Sequence, residues 1–352
     1  MTDKLINITL STIVLALMLG LAEIGVRLMG YNPGDLSPVW FNFKPVDTLR
    51  VENYFYTNKE GILVADSTYW ARQGISINED GFRSPSFSGI DSCKKKVMFI
   101  GDSFAWGKSA EPLTGHCFVD LVRNETGYEV INLGIPGADP AQYYELAKKY
   151  IPTLKPDVVF VMFFMGNDLM TEDRKVVPGR PFCYATNAGM IFADIDGRFF
   201  PTAQQAYDYV SHEKYYLNNP SNYFDWVISK SALLSRLYSL KFRLMEKLAY
   251  ERVAKESSIT KKYLKGISDE ANRYHADVKF GLIPEYKEAG LDTAKYKLRY
   301  ADLLGDSTLR SDWLILQNSK ANFIDYPDGH LNNAGHRYYA DFLEKYLKQS
   351  NK

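Results

Sequence analysis

The chain carries no excess charge of either sign and has few cysteines. Lys and Arg together number 42, and so do Asp and Glu, which makes the formal net charge zero. Without a basic excess to neutralise phosphates, nucleic acid is not expected to be the main partner. The spacing of the three cysteines, Cys93, Cys117 and Cys183, fits no zinc motif, and an odd number leaves at least one thiol unpaired. We therefore expect ordinary thiols, no metal and no cofactor.

Internal repeats and low-complexity tracts are also absent, and the length fits one large domain or one domain with a substantial insertion. A phosphate-binding loop is missing as well. Gly107-Lys108-Ser109 resembles the end of such a loop, but Asp102 stands where the motif requires glycine. Because a carboxylate would repel a phosphate, the sequence argues against nucleotide binding.

The segment Leu5 to Ala22 lacks charged side chains, and its length is about that of a helix that crosses a bilayer. It could be a cleavable signal peptide, with Gly20-Leu21-Ala22 as the small-residue site, or a retained anchor. We favour an anchor helix over 1–30, because the stretch is long for a signal core and only Lys4 precedes it as a basic side chain.

The most informative feature that is present is an apolar run that ends abruptly in Gly101-Asp102-Ser103. The run predicts a buried strand near 96–100, and the glycine predicts a turn at its end. The carboxyl edge of a parallel sheet is where open α/β folds bind their ligands. Ser103 would begin the next helix, near backbone N–H groups that favour negative charge. This is the setting that a nucleophilic serine requires.

Two further strands are predicted to end in polar turns at the same edge. One, near 129–133, is followed by Gly134 and Gly137, and the other, near 157–164, by Asn167. His330 lies in a late loop that opens a helix, from which a base can face Ser103. His336, six residues further on, is read as a surface or packing residue.

Strands that alternate with helices at this spacing predict a three-layer α/β domain with a parallel sheet over 95–352. The segment 31–94 leads into it without regular structure, and an aromatic-rich insertion interrupts it at about 170–258. The insertion is either a carbohydrate-binding lid or a small satellite core. Helices are predicted near 114–124, 140–154, 231–254, 259–274, 293–304 and 333–347, and further strands at 278–282 and 323–324.

The order of these blocks, Ser, Gly, Asn and then Asp with His, resembles the SGNH (GDSL-like) hydrolase family, in particular its membrane-anchored bacterial members. The resemblance implies a flavodoxin-like sheet order, with Ser103 as nucleophile and His330 as general base. It also implies an oxyanion hole made of the N–H groups of Ser103 and Gly137 and the amide of Asn167. Gly134 is the competing glycine of the second block, read as a turn residue that needs a positive φ.

The acid of the predicted triad departs from the family pattern, which has Asp three residues before His, where this chain has Pro327. Asp328 is two residues before His330, a spacing that puts both side chains on one face of an extended segment. Asp325, five residues before, is the alternative, and a Ser–His dyad without an acid is the third.

One more element resembles anchored members of the family, the Asn78-x-x-Gly81-Phe82-Arg83 sequence that precedes the Gly-Asp-Ser block. We read it as a turn without a chemical role.

The resemblance predicts an acyl-ester hydrolase for O-acyl groups, such as acetyl, of a carbohydrate outside the cytoplasmic membrane. The alternatives are an O-acetyltransferase that works with a membrane acyltransferase partner, a thioesterase or lipase, and a non-catalytic polysaccharide-binding or assembly module. The helix would make the protein single-pass, with the catalytic domain extracytoplasmic.

Overall fold

The structure of the chain is a computed structural model. It describes residues 2–36, 52–169, 178–186, 189–195, 198–210, 223–253, 258–283, 303, 313–315 and 329–349. These residues form two compact units. The smaller comprises 1–49, 186–191 and 200–250, and the larger comprises 50–185, 192–199 and 251–352. The boundaries predicted at 30 and 94 separate an anchor helix, a lead-in segment and an α/β domain, whereas the two units are groups of residues in mutual contact. The predicted boundaries therefore remain predictions.

The strands of the described residues are mostly short, and those of the central sheet follow runs of apolar residues. They are β1 Glu52–Thr57, β2 Leu63–Ala65, β3 Lys96–Gly101, β4 Glu129–Gly134, β5 Val158–Phe164, β6 Pro181–Thr186, β7 Gly189–Phe192, β8 Asp194–Ile195, β9 Arg198–Phe199, β10 Asp277–Ile283 and β11 Trp313–Ile315.

The helices include one long apolar helix at the amino end and several amphipathic ones. They are α1 Thr2–Leu28, α2 Ser67–Arg72, α3 Ser103–Trp106, α4 Phe118–Thr126, α5 Pro140–Leu154, α6 Ala203–Asp208, α7 Tyr223–Ile228, α8 Ala232–Val253, α9 Ser258–Arg273 and α10 Asn333–Gln349.

Five strands of the larger unit form a fully parallel sheet in the order β4-β3-β5-β10-β11. Numbered along the chain, this is the 2-1-3-4-5 order of flavodoxin-like folds, as predicted. Gly101 at the end of β3 is paired with Gly134 of β4 and with Met162 of β5. The segments that follow these three strands therefore emerge at one edge, at the point where the strand order reverses.

Both faces of this sheet are covered by helices, which gives the predicted three layers. Side chains of β3 alternate between the faces, and Val97 and Phe99 pack in a buried cluster with α4 and α10. Met98 and Ile100 point the other way and are also fully buried. Helices α5 and α9 pack against each other and against β3 and β10. Continuous apolar strands are what a sheet buried on both faces requires.

The segment before the central sheet is more regular than the sequence indicates. It contains β1, β2 and α2, so the prediction of an irregular lead-in is wrong. β1 pairs antiparallel with β2 and also with β6, which comes from the aromatic insertion. The lead-in and the insertion therefore build one antiparallel sheet in the larger unit.

Other differences concern element bounds. The helix predicted over 114–124 begins only at Phe118, because Gly115 adopts a left-handed φ of 85° and interrupts the preceding turn Leu113–His116. β11 has no counterpart among the predicted strands. The predicted strand at 323–324 lies outside the described residues, as does the predicted helix at 293–304 apart from Leu303.

One helix of the described residues is long and apolar enough to cross a membrane. The span Lys4–Leu28 has a mean hydropathy of 2.2 and is not buried against the rest of the chain. Length and composition allow a transmembrane anchor, and a signal sequence meets the same criteria.

His336 lies in the first half of α10 and joins this helix to α4. It is fully buried, so it is a packing residue and not a surface one. Its Nδ1 accepts a hydrogen bond from the Phe118 N–H at 3.3 Å, and its Nε2 lies 3.3 Å from the Lys108 carbonyl oxygen. These partners require the neutral ring with the proton on Nε2. Burial lowers the pKa of His336 from 6.5 to about 4.

This buried imidazole makes stability depend on pH. Because the folded-state pKa lies below the unfolded value, the unfolded chain binds the extra proton between the two. The contribution is complete above pH 6.5 and is lost as the pH falls towards 4, with a maximum of about 3 kcal/mol. We expect the urea midpoint of the full chain in detergent to fall over this range, and by less in His336→Gln. An equal fall in both proteins would contradict this assignment.

Candidate active site

Ser103 is held by a short turn of helix directly after β3. Asp102 is the N-cap of α3, and its side chain accepts a hydrogen bond from the Phe104 N–H at 2.9 Å. The helix ends after one turn at Gly107, which has a left-handed φ of 96°. The Ser103 side chain is nearly buried, with 7% of the residue exposed. The serine therefore has a fixed backbone and limited contact with solvent.

The backbone of α3 packs directly on the ends of β3 and β4. A Cβ at Gly134 would lie 2.4 Å from the Trp106 nitrogen, and one at Gly101 would lie 2.9 Å from the Ala105 Cβ. Gly134 has no positive φ, so the prediction that it serves as a left-handed turn residue is wrong. Gly134 is glycine because the backbone of α3 approaches it so closely.

His330 reaches Ser103 from the segment before α10. Its Nε2 lies 2.7 Å from the Ser103 Oγ, within hydrogen-bond distance. Its ring packs on Phe104, with 5.0 Å between the ring centroids. The adjacent Leu331 is buried, which fixes the backbone beside the imidazole. The structure thus brings together the serine and the histidine that the sequence singles out.

The start of α10 is fixed by side chains on either side of its first turn. Asn332 accepts a hydrogen bond from the Gly335 N–H at 3.0 Å. Asn333 accepts from the Glu111 N–H at 2.8 Å and donates to the Glu111 carbonyl at 2.6 Å. These contacts hold the loop that carries His330 on the same side of the sheet as α3.

Gly137 follows β4 in a turn at the sheet edge. It has a left-handed φ of 77°, which favours glycine. A Cβ there would lie 2.4 Å from the Phe192 ring, and the Phe182 ring packs edge-on against Phe192. Both phenylalanines belong to the aromatic insertion. The insertion therefore supplies side chains beside the predicted oxyanion glycine.

Asn167 lies in the turn after β5, near the buried Asp102 carboxylate. Burial raises the pKa of Asp102 to about 6, and the Phe104 N–H, the charge of His330 and the Asn167 amide each act to lower it. The Oδ2 atom of Asp102 is buried and has no hydrogen-bond partner among the described residues. A carboxyl group of intermediate pKa therefore lies in the electrostatic reach of His330.

A second buried carboxyl group, Asp168, lies behind the site and was not singled out in the sequence. It accepts hydrogen bonds from the Tyr143 hydroxyl at 3.0 Å and from the Phe164 N–H at 2.7 Å. Burial, together with the charge of Asp102, raises the pKa of Asp168 well above its ordinary value. The sequence held a signal for this residue, because Asp168 directly follows Asn167 in the turn after a predicted strand.

The predicted acid, Asp328, and its alternative, Asp325, both lie outside the described residues. The choice between them therefore stays a prediction. Within the described ranges, no three His, Cys, Asp or Glu side chains are grouped so that they could hold a metal ion.

Arg83 has a structural role in this region that the sequence did not reveal. Its guanidinium is buried, donates to the Trp106 carbonyl at 2.8 Å and pairs with Asp120 at 2.5 Å. A further N–H points to the Cys117 sulfur at 2.6 Å. Burial alone would raise the pKa of Asp120, but Arg83 and Arg123 together hold it below its ordinary value. The arginine thus ties the end of α3 to α4.

A turn formed by Asn78 to Phe82, called here the Asn78 turn, precedes Arg83 and fixes the direction in which the Arg83 side chain points. The Asn78 side chain accepts from the Phe82 N–H at 2.9 Å and donates to the Pro85 carbonyl at 3.0 Å, and Gly81 has a φ of 90°. Phe82 is fully buried. The Asn-x-x-Gly-Phe-Arg element is therefore a turn, as predicted, and in addition its arginine supports α3.

Comparisons with known proteins gave distant structural likenesses only. No family model matches the chain, and no curated protein matches it. Among solved structures, TesA is 12% identical with a TM-score of 0.39, covering 72% of this chain and 99% of its own. A catalytic mutant of Axe2, an acetylxylan esterase from Geobacillus stearothermophilus, is 14% identical with a TM-score of 0.36, covering 71% and 93%. A lipase/acylhydrolase from Enterococcus faecalis is 15% identical with a TM-score of 0.36, covering 73% and 96%. At such TM-scores these likenesses do not establish a common fold, and the fold assignment rests on strand order and register.

Replacing Arg83 tests its role as a buried support. Arg83→Lys keeps the charge but loses the planar fork that serves Trp106, Asp120 and Cys117 together. We expect the free energy of unfolding to fall by about 1–3 kcal/mol, because buried acceptors are left without donors. Arg72→Lys is the matched control, since Arg72 is half exposed in its pair with Glu52 and such pairs contribute about 1 kcal/mol or less. Equal losses in chemical denaturation of the two variants would refute this role.

Proposed function

We propose that this chain is a serine-dependent acyl-ester hydrolase of the SGNH type. The observation that carries the proposal is the 2.7 Å contact between the Ser103 Oγ and the His330 Nε2 at the carboxyl edge of a parallel sheet. A serine hydroxyl is a weak nucleophile until a base takes its proton, and His330 is in position to do so. The three predicted blocks converge on this edge in the order that the family resemblance implies.

In the proposed reaction, the Ser103 oxygen attacks the carbonyl carbon of an ester while its proton passes to His330 Nε2. The tetrahedral oxyanion would be stabilised by the N–H groups of Ser103 and Gly137 and by the Asn167 side chain. The Asn167 amide has two N–H donors, so one can point towards Asp102 while the other faces the oxyanion. His330 then returns the proton to the leaving alcohol, and an acyl-enzyme remains.

Water or a sugar hydroxyl would take the acyl group from Ser103 in the second half of the reaction. The family resemblance favours acetyl groups on an extracytoplasmic carbohydrate as substrate. Phe182 and Phe192 beside Gly137 suit this proposal, because aromatic faces pack against sugar rings. Transfer to a sugar, with a membrane acyltransferase as partner, would appear as acetylated carbohydrate instead of free acetate among the products.

We also propose that α1 is retained as a membrane anchor, with the catalytic residues outside the cytoplasm. In support, the end of α1 is bound into the smaller unit. The Glu23 carboxylate accepts hydrogen bonds from the Ser231 hydroxyl at 2.7 Å and from the N–H groups of Ala232 and Leu233 at 2.9 and 2.8 Å. Glu23 thereby caps the amino end of α8, a role that favours keeping the helix in the mature protein.

Removing the nucleophile should abolish turnover. Ser103→Ala should lower ester hydrolysis by several orders of magnitude and prevent labelling by a fluorophosphonate probe, while the protein still folds. Asn167→Ala should lose roughly 10²–10³-fold, as expected for one oxyanion donor. Ser88→Ala, at an exposed serine, is the control and should keep activity and labelling. Turnover retained by purified Ser103→Ala would refute the proposed function.

The acid that orients His330 is tested by two neutral substitutions. We propose Asp328, because a spacing of two in an extended segment would put its side chain and that of His330 on one face. We expect Asp328→Asn to lower turnover by orders of magnitude. Asp325→Asn is the matched control and should have little effect at equal folding. The reverse ranking would assign the acid to Asp325. Two fully active variants would mean that His330 works without either.

A further inference from the structure

The first half of helix α8, in the smaller unit, has its apolar side turned outward. Among the side chains that the structure describes there, those of 232–241 and 244, the buried ones are the small residues Ala232, Ser235 and Ser239, which recur at intervals of three and four and so share one face. The leucines lie on the opposite face and are between 38% and 61% exposed. They are Leu234, Leu237, Leu240 and Leu244.

This arrangement is the reverse of a helix on a water-soluble protein, which buries its apolar stripe and exposes its polar one. Small residues at the buried face are instead typical of membrane helices, in which they let neighbouring backbones approach closely. A continuous row of exposed leucines on a helix indicates an interaction surface.

The preceding helix, α7, adds exposed aromatic rings to the same unit. Tyr223, Phe224 and Trp226 are 78%, 64% and 48% exposed, and the rings of Tyr223 and Trp226 stack with 5.7 Å between centroids. The Lys230 ammonium lies 5.8 Å from the centre of the Trp226 ring. Tyr and Trp with a nearby Lys are the side chains that populate membrane–water interfaces.

The depth of α8 relative to α1 follows from the contacts that join them. The uncharged run of α1 ends at Ala22, and Glu23, the next residue, caps the amino end of α8. Eighteen helical residues span about 27 Å, close to the thickness of the hydrocarbon core. The start of α8 is therefore level with the end of the apolar span.

Two more contacts fix the first turns of α8 to the chain that leaves α1. The Gly34 N–H donates to the Ser235 hydroxyl oxygen at 2.8 Å. The Arg236 guanidinium lies 3.8 Å from the centre of the Tyr31 ring. These contacts engage the small-residue face of α8 and leave the leucines outside them.

From these observations we propose that α7 and α8 lie on the membrane surface, with the leucines of α8 and the aromatic rings of α7 inserted among the lipids. The occupant is a bilayer with anionic headgroups, because residues 223–253 carry six Lys or Arg against three Asp or Glu. The surface is continuous with the end of α1, where Leu28 and the following residue, Met29, are exposed. The inference rests on the membrane anchor proposed above and is independent of the ester chemistry.

The test places an environment-sensitive NBD fluorophore on the full chain in vesicles of phosphatidylcholine and phosphatidylglycerol. The background is Cys93→Ser, since Cys93 is exposed and the other two cysteines are buried. NBD is attached at Leu237→Cys and, as matched control, at Asp341→Cys, an exposed position on the polar side of α10. At 237 we expect blue-shifted emission and strong quenching by spin-labelled lipids. At 341 we expect aqueous emission and quenching by iodide only.

Aqueous emission at 237 in a chain that resists alkaline carbonate extraction would overturn the lipid contact and leave the anchor standing. Extraction of the chain by carbonate would overturn both, because the depth of α8 is set through α1. If the shielding of the fluorophore at 237 is lost when vesicles hold on average fewer than one chain each, the leucines contact a second copy of the chain and not lipid. That result also overturns the proposal. Shielding that persists on dilution, with lipid quenching, supports it.

Discussion

The position of Ser103 depends on the close contact of α3 with Gly101 at the end of β3 and with Gly134 at the end of β4. Neither Gly101 nor Gly134 has space for a Cβ, so the turn that carries Ser103 rests on the sheet itself. Other contacts at the site follow from this one. The Phe104 ring is placed under His330, and the Trp106 carbonyl is presented to Arg83. A serine held by backbone packing keeps its geometry without the entropy cost of ordering long side chains.

The two sides of α3 have contrasting electrostatics. On one side, the buried Asp120 carboxylate pairs with both the buried Arg83 and the partly exposed Arg123. On the other side, burial raises the pKa values of Asp102 and Asp168. The first arrangement supports structure, since each charge has a partner. The second arrangement leaves the pKa of Asp102 sensitive to the charge of His330. Shifted pKa values of this kind are common at reactive sites.

The parts of the fold that the sequence predicts well are those set by local pattern. The strands before Ser103, Gly137 and Asn167 are largely apolar runs with a glycine at or just after their ends, and Asp139-Pro140 marks the start of α5. The contact of Ser103 with His330 was predictable because Ser103 comes just after the end of β3 and His330 just before the start of α10, and both boundaries are clear in the sequence.

Features set by distant contacts were not predictable in this way. β1 and β6 are short and pair with each other across a long stretch of sequence, so this pairing has no strong local signature. The hydrogen bond from Arg83 to the Trp106 carbonyl depends on the direction in which the Asn78 turn points the arginine side chain. The periodicity of apolar residues in the sequence carries no information on that direction. Likewise, the outward leucines of α8 have the spacing of any amphipathic helix, and only burial shows that the apolar side is the exposed one.

The pairing of β1 with β6 has a consequence for the order in which the chain can fold during synthesis. Phe55 of β1 pairs with Cys183 of β6, about 130 residues later. At 5–20 residues per second, β1 would wait on the order of ten seconds for that partner after leaving the ribosome. Over this interval one side of β1 is an open strand edge, which is where unwanted pairing begins. The aromatic insertion is therefore also the segment that covers this open edge of β1.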